Sequence, residues 1–405
     1  MRHKDCDDSL SLRGLLTLVR ANVMTLETIG GRQNRSQTGD GSNNFQDGPG
    51  GQGGPMRITA VTCVKNEGPF LLEWIAFNRL IGVTDFLFYS NDCSDGTDRL
   101  LDALAMAGPD LADLCGNVVH LPNPAEGRNY QMEALKDAAH RTVVQAADWV
   151  WIADVDEFLN IHVGDNTIPA LIAACGDPTA ISVHFQFFAN DGIDGFEDRP
   201  VIAQFTRSHN PDIWCGETAI EVKSLTRRDF PLQYFGAHRP FFSKKQGKKK
   251  GLAWADGSGR QVPHKFLVAA NPRRIRKFPA KGARNFATLN HYALRSLDSY
   301  LVKNDRGDVN RENRAFDDSY WRERNDPAWQ ETSIARYLPA LEDALERIKA
   351  HREIGALHDE AVRLHREKCA ALLNQPAYRE MQAQLRAAST LPPDEEALLQ
   401  EMGML

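Results

Sequence analysis

No stretch of this 405-residue chain approaches the ~20 consecutive apolar residues that a membrane-crossing helix needs. There is no CxxC pair, and the seven cysteines (Cys6, Cys63, Cys93, Cys115, Cys175, Cys215 and Cys369) are odd in number and widely scattered. That spacing excludes a disulfide framework and a zinc knuckle. Positive charge is not in excess: the formal net charge is −6, which argues against a protein that covers nucleic acid. The early run LRGLLTLVRANVM is interrupted by Arg13 and Arg20 and lacks a small-residue cleavage site, so it does not read as a signal peptide. No internal repeat is visible. The expected location is the cytoplasm, with room for peripheral contact at the inner face of a membrane.

What is present is ordinary for a globular protein, 42% hydrophobic and 25% charged residues. The length suits one large α/β domain with additions. Residues 1–55 read as a disordered extension, because 29–55 are rich in Gly, Asn, Gln and Ser and hold almost no large apolar group to offset the entropy of ordering. A strand-like RITAVTCV comes directly after Met56, which makes Met56 a candidate alternative start to Met1.

From there short apolar runs alternate with helical segments. Strands are expected at 57–64, 83–89, 117–121 and 148–153, and helices at 70–81, 97–107 and 128–147, with Gly82 and Gly108 as stops. This β-α-β-α-β-α-β order predicts a parallel sheet covered by helices on both faces. Beyond 160 a β-rich extension is expected to complete the site, and 333–388 reads as helices packed on the core or as an oligomerisation arm.

Ligands of open α/β sheets bind beyond the C-terminal strand ends. The four predicted strands each run into a polar group there: KNEG, SNDCSDGT, PNPAEGRN and DVDEF. On an extended chain Asp154 and Asp156 would point the same way into one space. Adjacent carboxylates repel unless a cation lies beside them, and oxygen ligands suit Mg²⁺ or Mn²⁺. The competing reading of DVD by itself is a solvated strand end with Asp156 capping a helix after it.

The set Lys65-Asn66-Glu67, Glu73-Trp74, Asn91-Asp92-Cys93-Ser94-Asp95-Gly96-Thr97 and Asp154-Val155-Asp156-Glu157-Phe158 resembles, in order and spacing over roughly 57–310, the family-2-like glycosyltransferases. The resemblance implies a GT-A-type, Rossmann-like mixed α/β sheet flanked by helices, with a nucleotide-binding half (56–160), an acceptor half (161–310) and a helical C-terminal region (311–405). It implies that Lys65, Asn66, Glu67, Asn91, Asp92 and Asp95 hold the nucleoside, although Ser90 and Asn91 stand where many such enzymes have two Asp. Arg128 and Gln131 would approach the diphosphate. Asp154 would lie near ribose and metal, and Asp156 would ligate Mn²⁺ or Mg²⁺. In NHYALRSLDSYLVKNDRGD, His291 would be a third ligand, with Lys303 and Arg306 on diphosphate oxygens. Candidates for the catalytic base are Glu217, then Asp191, with Asp194 behind them. The role of Glu157 is open.

The expected activity is therefore metal-dependent transfer of a sugar, of hexosyltransferase type, from a nucleotide-diphosphate sugar to a hydroxyl acceptor such as a glycan. It is expected to proceed with inversion, in synthesis of a cell-surface or exported polysaccharide. Two alternatives stand beside it: a non-catalytic nucleotide-sugar-binding subunit, and a phosphotransferase using DxD. The second normally places that motif on its first strand, whereas three βα units precede it here. The lysine-rich run 243–251, extended by 273–277, reads as a solvated loop or as a surface for an acidic glycan or anionic membrane.

Overall fold

The segment 58–64, ITAVTCV, is uncharged and rich in small and β-branched residues without a polar–apolar alternation, the pattern of a strand buried on both faces. The structure, a computed structural model, describes residues 55–209, 219–242, 252–267, 277–307, 318–388, 390–391 and 393–404. The extension 1–54, Glu217, the 243–251 lysines and the boundary drawn at 310/311 lie outside the described residues. In it β1 (Ile58–Val64), β2 (Asp85–Ser90), β3 (Asn117–Pro122) and β4 (Trp149–Ile152) form a parallel set. They are joined by α1 (Gly68–Leu80), α2 (Thr97–Ala107) and α3 (Tyr130–Ala138).

The sheet is mixed, as its second half shows. Strands β5 (Glu157–Ile161), β6 (Ala180–Phe187), β7 (Ala219–Arg227) and β8 (Ala287–His291) extend it in the order β3-β2-β1-β4-β7-β6-β8-β5. β7 is antiparallel to both β4 and β6, so the continuous parallel run expected from the sequence ends at β4, and the one later parallel pair among these strands is β6 with β8. The helix expected over 128–147 is also interrupted. Its N–H groups at His140 and Arg141 turn back three residues, to Asp137 and Ala138, and only a single turn, Thr142–Gln145, comes after them. Asp137 is held there by Tyr89 Oη (2.6 Å) and Arg141 (2.6 Å), and the β-branched Thr142-Val143-Val144 favours helix weakly.

Helix α1 is buried along nearly its whole length, apolar on more than one side. Such a helix needs cover on both faces. The sheet supplies one, and α5 (Leu338–Ala350) and α6 (Arg352–Leu373) supply the other, after α4 (Leu297–Arg306). The C-terminal helices therefore pack on the core. Gly68 makes the approach possible: a Cβ there would stand 2.7 Å from Ala361 Cβ of α6. Among the described residues no helix is long and apolar enough to cross a membrane.

Asp198, in the loop after β6, ties this tail down, accepting from Lys349 Nζ of α5 (3.0 Å) and from His358 Nε2 of α6 (3.1 Å). Burial alone would raise its pKa, but the His358 hydrogen bond and the Lys349 charge outweigh that and hold it at about 2. A carboxyl depressed on folding stabilises the fold above its unfolded value of 3.8, and that contribution is lost as pH falls through about 2. Asp198→Asn should cost about 1–2 kcal/mol at pH 7 by urea unfolding. The gap should close between about pH 4 and pH 2; a gap that does not change with pH would contradict this.

Candidate active site

The DVDE segment connects β4, in the middle of the sheet, to β5 at its far edge, so the chain crosses from one half of the molecule to the other here. Glu157 N–H donates to Asp154 O (3.0 Å), which makes the segment a turn and not the extended run read from the sequence. The alternation argument for one shared carboxylate space therefore gives way to two environments. Asp154 accepts from Lys223 Nζ (2.8 Å) and Gln131 Nε2 (3.3 Å). Asp156 accepts from Lys303 Nζ (2.8 Å) and has His291 Nε2 at 3.5 Å.

Burial and neighbouring charge pull the two buried acids in different directions. Burial works against the Asp156 anion, but the Lys303 and His291 beside it hold its carboxyl well below the usual range. Glu157, 1% exposed, accepts the Asp154 N–H (2.9 Å) and lies 3.2 Å from Lys223. Burial pushes its carboxyl well above the ordinary range. Lys223 is as deeply buried; Asp154 and Glu157 overcome that burial and raise its pKa, keeping it charged. Burial lowers the pKa of His291, favouring the neutral ring that can ligate a metal.

The ligand atoms of Asp156, Glu157 and His291 all lie within 4.8 Å of one another. Two carboxylates and an imidazole suit Mn²⁺ or Mg²⁺, and His291 Nδ1 is buried with no hydrogen-bond partner among the described residues. The residues present fit a divalent cation. Glu157 joins the candidate ligands, whereas Asp154 is turned to Lys223.

The loop after β1 is clamped from both sides. Asn66 has the left-handed φ of 54°, tolerated by Asn. Glu67 lies between Arg295 (2.8 Å) and Arg306 (2.6 Å), whose charges overcome burial and lower its pKa. Arg306 also donates to the carbonyls of Lys65 and Asn66, and the Arg295 guanidinium sits 3.6 Å above the Phe70 ring. From the other side Asp95 accepts from Gly68 N–H (3.0 Å) and from Thr97, whose hydroxyl in turn accepts from Glu67 N–H. Lys65 reaches Asp92 at 3.9 Å. Asn91 Oδ1 is buried without a partner among the described residues, and Arg128 is exposed. Asn66, Glu67, Arg295, Lys303, Arg306 and His365 line a cleft here.

Asp191 Oδ2 accepts from the backbone N–H groups of Thr206 (2.7 Å) and Arg207 (3.3 Å); burial raises its pKa. Asp194 pairs with Arg386. Sequence reasoning missed Lys223, Arg295 and His365. Lys223 had a signal, a lysine in the otherwise apolar, alternating IEVKSL; Arg295 and His365 had none.

Residues 59–228, less than half of the chain, match the family model described as glycosyltransferase family 92. A Ricinus communis protein described as a glycosyltransferase family 92 protein is 28% identical over 112 residues, covering 28% of this chain and 18% of that protein. A second match with the same description is 25% identical over 134 residues, covering 31% of this chain and 21% of the other. The chain thus spans about a fifth of the length of the curated relatives it matches. Among solved structures the mannosyltransferase Ktr4p from S. cerevisiae aligns at 10% identity over 34% of this chain and 41% of that one, with a TM-score of 0.21, too loose to carry an argument. The similarity is to glycosyltransferases, and the family matched is 92, whereas the motifs suggested the family-2-like branch.

Lys223 gives a direct test of the buried charges. Lys223→Ala removes the buried ammonium that bonds half-exposed Asp154 and buried Glu157, and should cost about 1.5–3 kcal/mol in urea unfolding. A loss under about 1 kcal/mol would show that the triad carries no buried ion pair.

Proposed function

We propose that the chain is a metal-dependent glycosyltransferase of GT-A type that moves a sugar from a nucleotide-diphosphate sugar to a hydroxyl acceptor, with inversion, in glycan synthesis. The observation that carries this reading is the meeting of Asp156, Glu157 and His291 at the turn between the sheet halves. The partial match to glycosyltransferase family 92 supports it.

Asp156 and His291, with Glu157, would hold Mn²⁺ or Mg²⁺, which when bound supplies a Lewis acid for the departing diphosphate. Lys303 bonds Asp156 and the Ala293 carbonyl, so its ammonium is held in place in the lining of the cleft. Arg306, assigned from sequence to the diphosphate, is engaged with Glu67 and two carbonyls, and its work is to fix the loop after β1. Inversion requires a base on the acceptor hydroxyl. Asp191 is the described candidate: its Oδ1 is buried without a partner among the described residues, and a raised pKa suits a base. Glu217 is the second. A phosphotransferase fits less well, because Asp154, the would-be nucleophile, is bonded to Lys223 and Gln131.

The test is a screen of nucleotide sugars for donor hydrolysis and transfer, with Mn²⁺, Mg²⁺ or EDTA. Turnover should need the metal and fall at least about 100-fold in Asp156→Asn. Turnover that persists in EDTA and survives the substitution would refute the proposal, as would nucleotide binding with no turnover on any donor.

A further inference from the structure

Ser90 closes β2 at the edge where the proposed nucleotide site lies, in register with Val64 of β1, the residue before Lys65. Its hydroxyl is part of a relay that no motif announced. Ser90 Oγ lies 2.8 Å from His120 Nε2 on β3, and His120 Nδ1 lies 2.7 Å from Asp102 Oδ1 on α2. The His120 side chain is 6% exposed and that of Asp102 66%. The three residues come from separate elements and meet because β2, β3 and α2 pack side by side.

The relay fixes the direction of a proton. An ionised carboxylate only accepts, so Nδ1 of His120 carries the hydrogen that Asp102 receives. In that tautomer of the neutral ring Nε2 holds a lone pair, and the Ser90 hydroxyl must donate to it. Ser90 then has no hydrogen left for a ligand and offers only oxygen lone pairs. The neighbouring Asn91 adds an Oδ1 acceptor that is buried and unpartnered among the described residues. The Ser90 oxygen thus gives this strand end an uncharged acceptor, without the carboxylate that would do the same with charge.

We propose that Asp102 and His120 are positioning residues that lock Ser90 as a hydrogen-bond acceptor, and that this strand end selects a nucleobase whose ring edge donates an N–H. Uracil and guanine carry a ring N–H there; cytosine has a bare ring nitrogen and would meet the Ser90 lone pairs head-on. The inference rests on the nucleotide-sugar reading of the site and adds to it the base and the residues that read it.

The experiment is calorimetric binding of UDP, GDP and CDP to the full chain with Mn²⁺, for the wild type, Asp102→Asn and Ser90→Ala. UDP or GDP should bind about tenfold or more tightly than CDP, and the two arms show which of the ring-N–H bases fits. In the Asp102→Asn variant the new side-chain amide can donate to Nδ1, which moves the ring hydrogen to Nε2 and frees the Ser90 O–H to point at the ligand. Asp102→Asn should therefore cut the preference about tenfold by tightening CDP as well as weakening the others. Ser90→Ala should cut it without any gain for CDP, a difference that a merely structural role would not produce. Asp102 is largely exposed, so its substitution should leave folding intact. Nucleotides bound without base preference, or a preference that Asp102→Asn leaves unchanged, would overturn the inference alone. No binding of any nucleotide would overturn it together with the proposed function. Covalent labelling of Ser90 by a fluorophosphonate would also overturn it, since it would make the relay a nucleophile's and not a reader's.

Discussion

Three acids within four residues, two of them buried, must be balanced by cations, and most of the site depends on how they are. Asp154, Asp156 and Glu157 sit on the turn that joins the two halves of the sheet. An uncompensated buried carboxylate is expensive, and carboxylates crowded together raise one another's pKa. The molecule splits them into two clusters, Lys223 under Asp154 and Glu157, and Lys303 on Asp156 with the His291 ring beside it. Both lysines, on β7 and α4, come from beyond residue 160, so the first half of the chain cannot balance the acids of its own turn without the second.

The same logic explains the division between what the sequence displays and what it hides. Strands β1 to β4 and helices α1 and α2 were readable, because buried parallel strands are unbroken apolar runs and Gly82, Gly96 and Gly108 adopt positive φ where the chain must turn. The KNEG, SNDCSDGT and DVDEF groups were readable as polar residues where apolar ones had to stop. What could not be read was which groups they satisfy. Glu67 finds Arg295 across 228 positions, and Asp156 finds Lys303 across 147. Periodicity carries no information at that range. The turn at 154–157 was also misread as extended, because alternation assumes a straight strand and a backbone hydrogen bond removes it.

Several loop residues first read as ligand contacts are occupied in holding the loops. Asp95 fastens the starts of α1 and α2 to each other, and Arg306 fastens the loop after β1. This is expected where catalytic or binding groups sit on loops, since a loop needs fixed partners before its remaining atoms can act with accuracy. Atoms left over once those partners are assigned are the informative ones: His291 Nδ1, Asn91 Oδ1 and Asp191 Oδ1 are buried without partners among the described residues. Buried polar atoms rarely go unsatisfied, so at these three positions a bound group or an ordered water would complete the bonding.

The matched segment, 59–228, includes Asp154, Asp156, Glu157 and Lys223 but not His291, Arg295, Lys303, Arg306 or His365. Much of the charge pairing of the site therefore comes from outside it. Helix α6 reaches the cleft through His365, which bonds Ser299 of α4 at 3.1 Å and meets the Phe70 and Phe196 rings edge-on. Its Ala361 closes on Gly68, the first residue of α1. The KNEG turn is thus gripped by α2 on one side and by α4 and α6 on the other. A change in the tail that shifted α6 would move Glu67 and Arg306 before it touched the turn at Asp156, so the geometry of the site depends on helices that carry none of its candidate metal ligands.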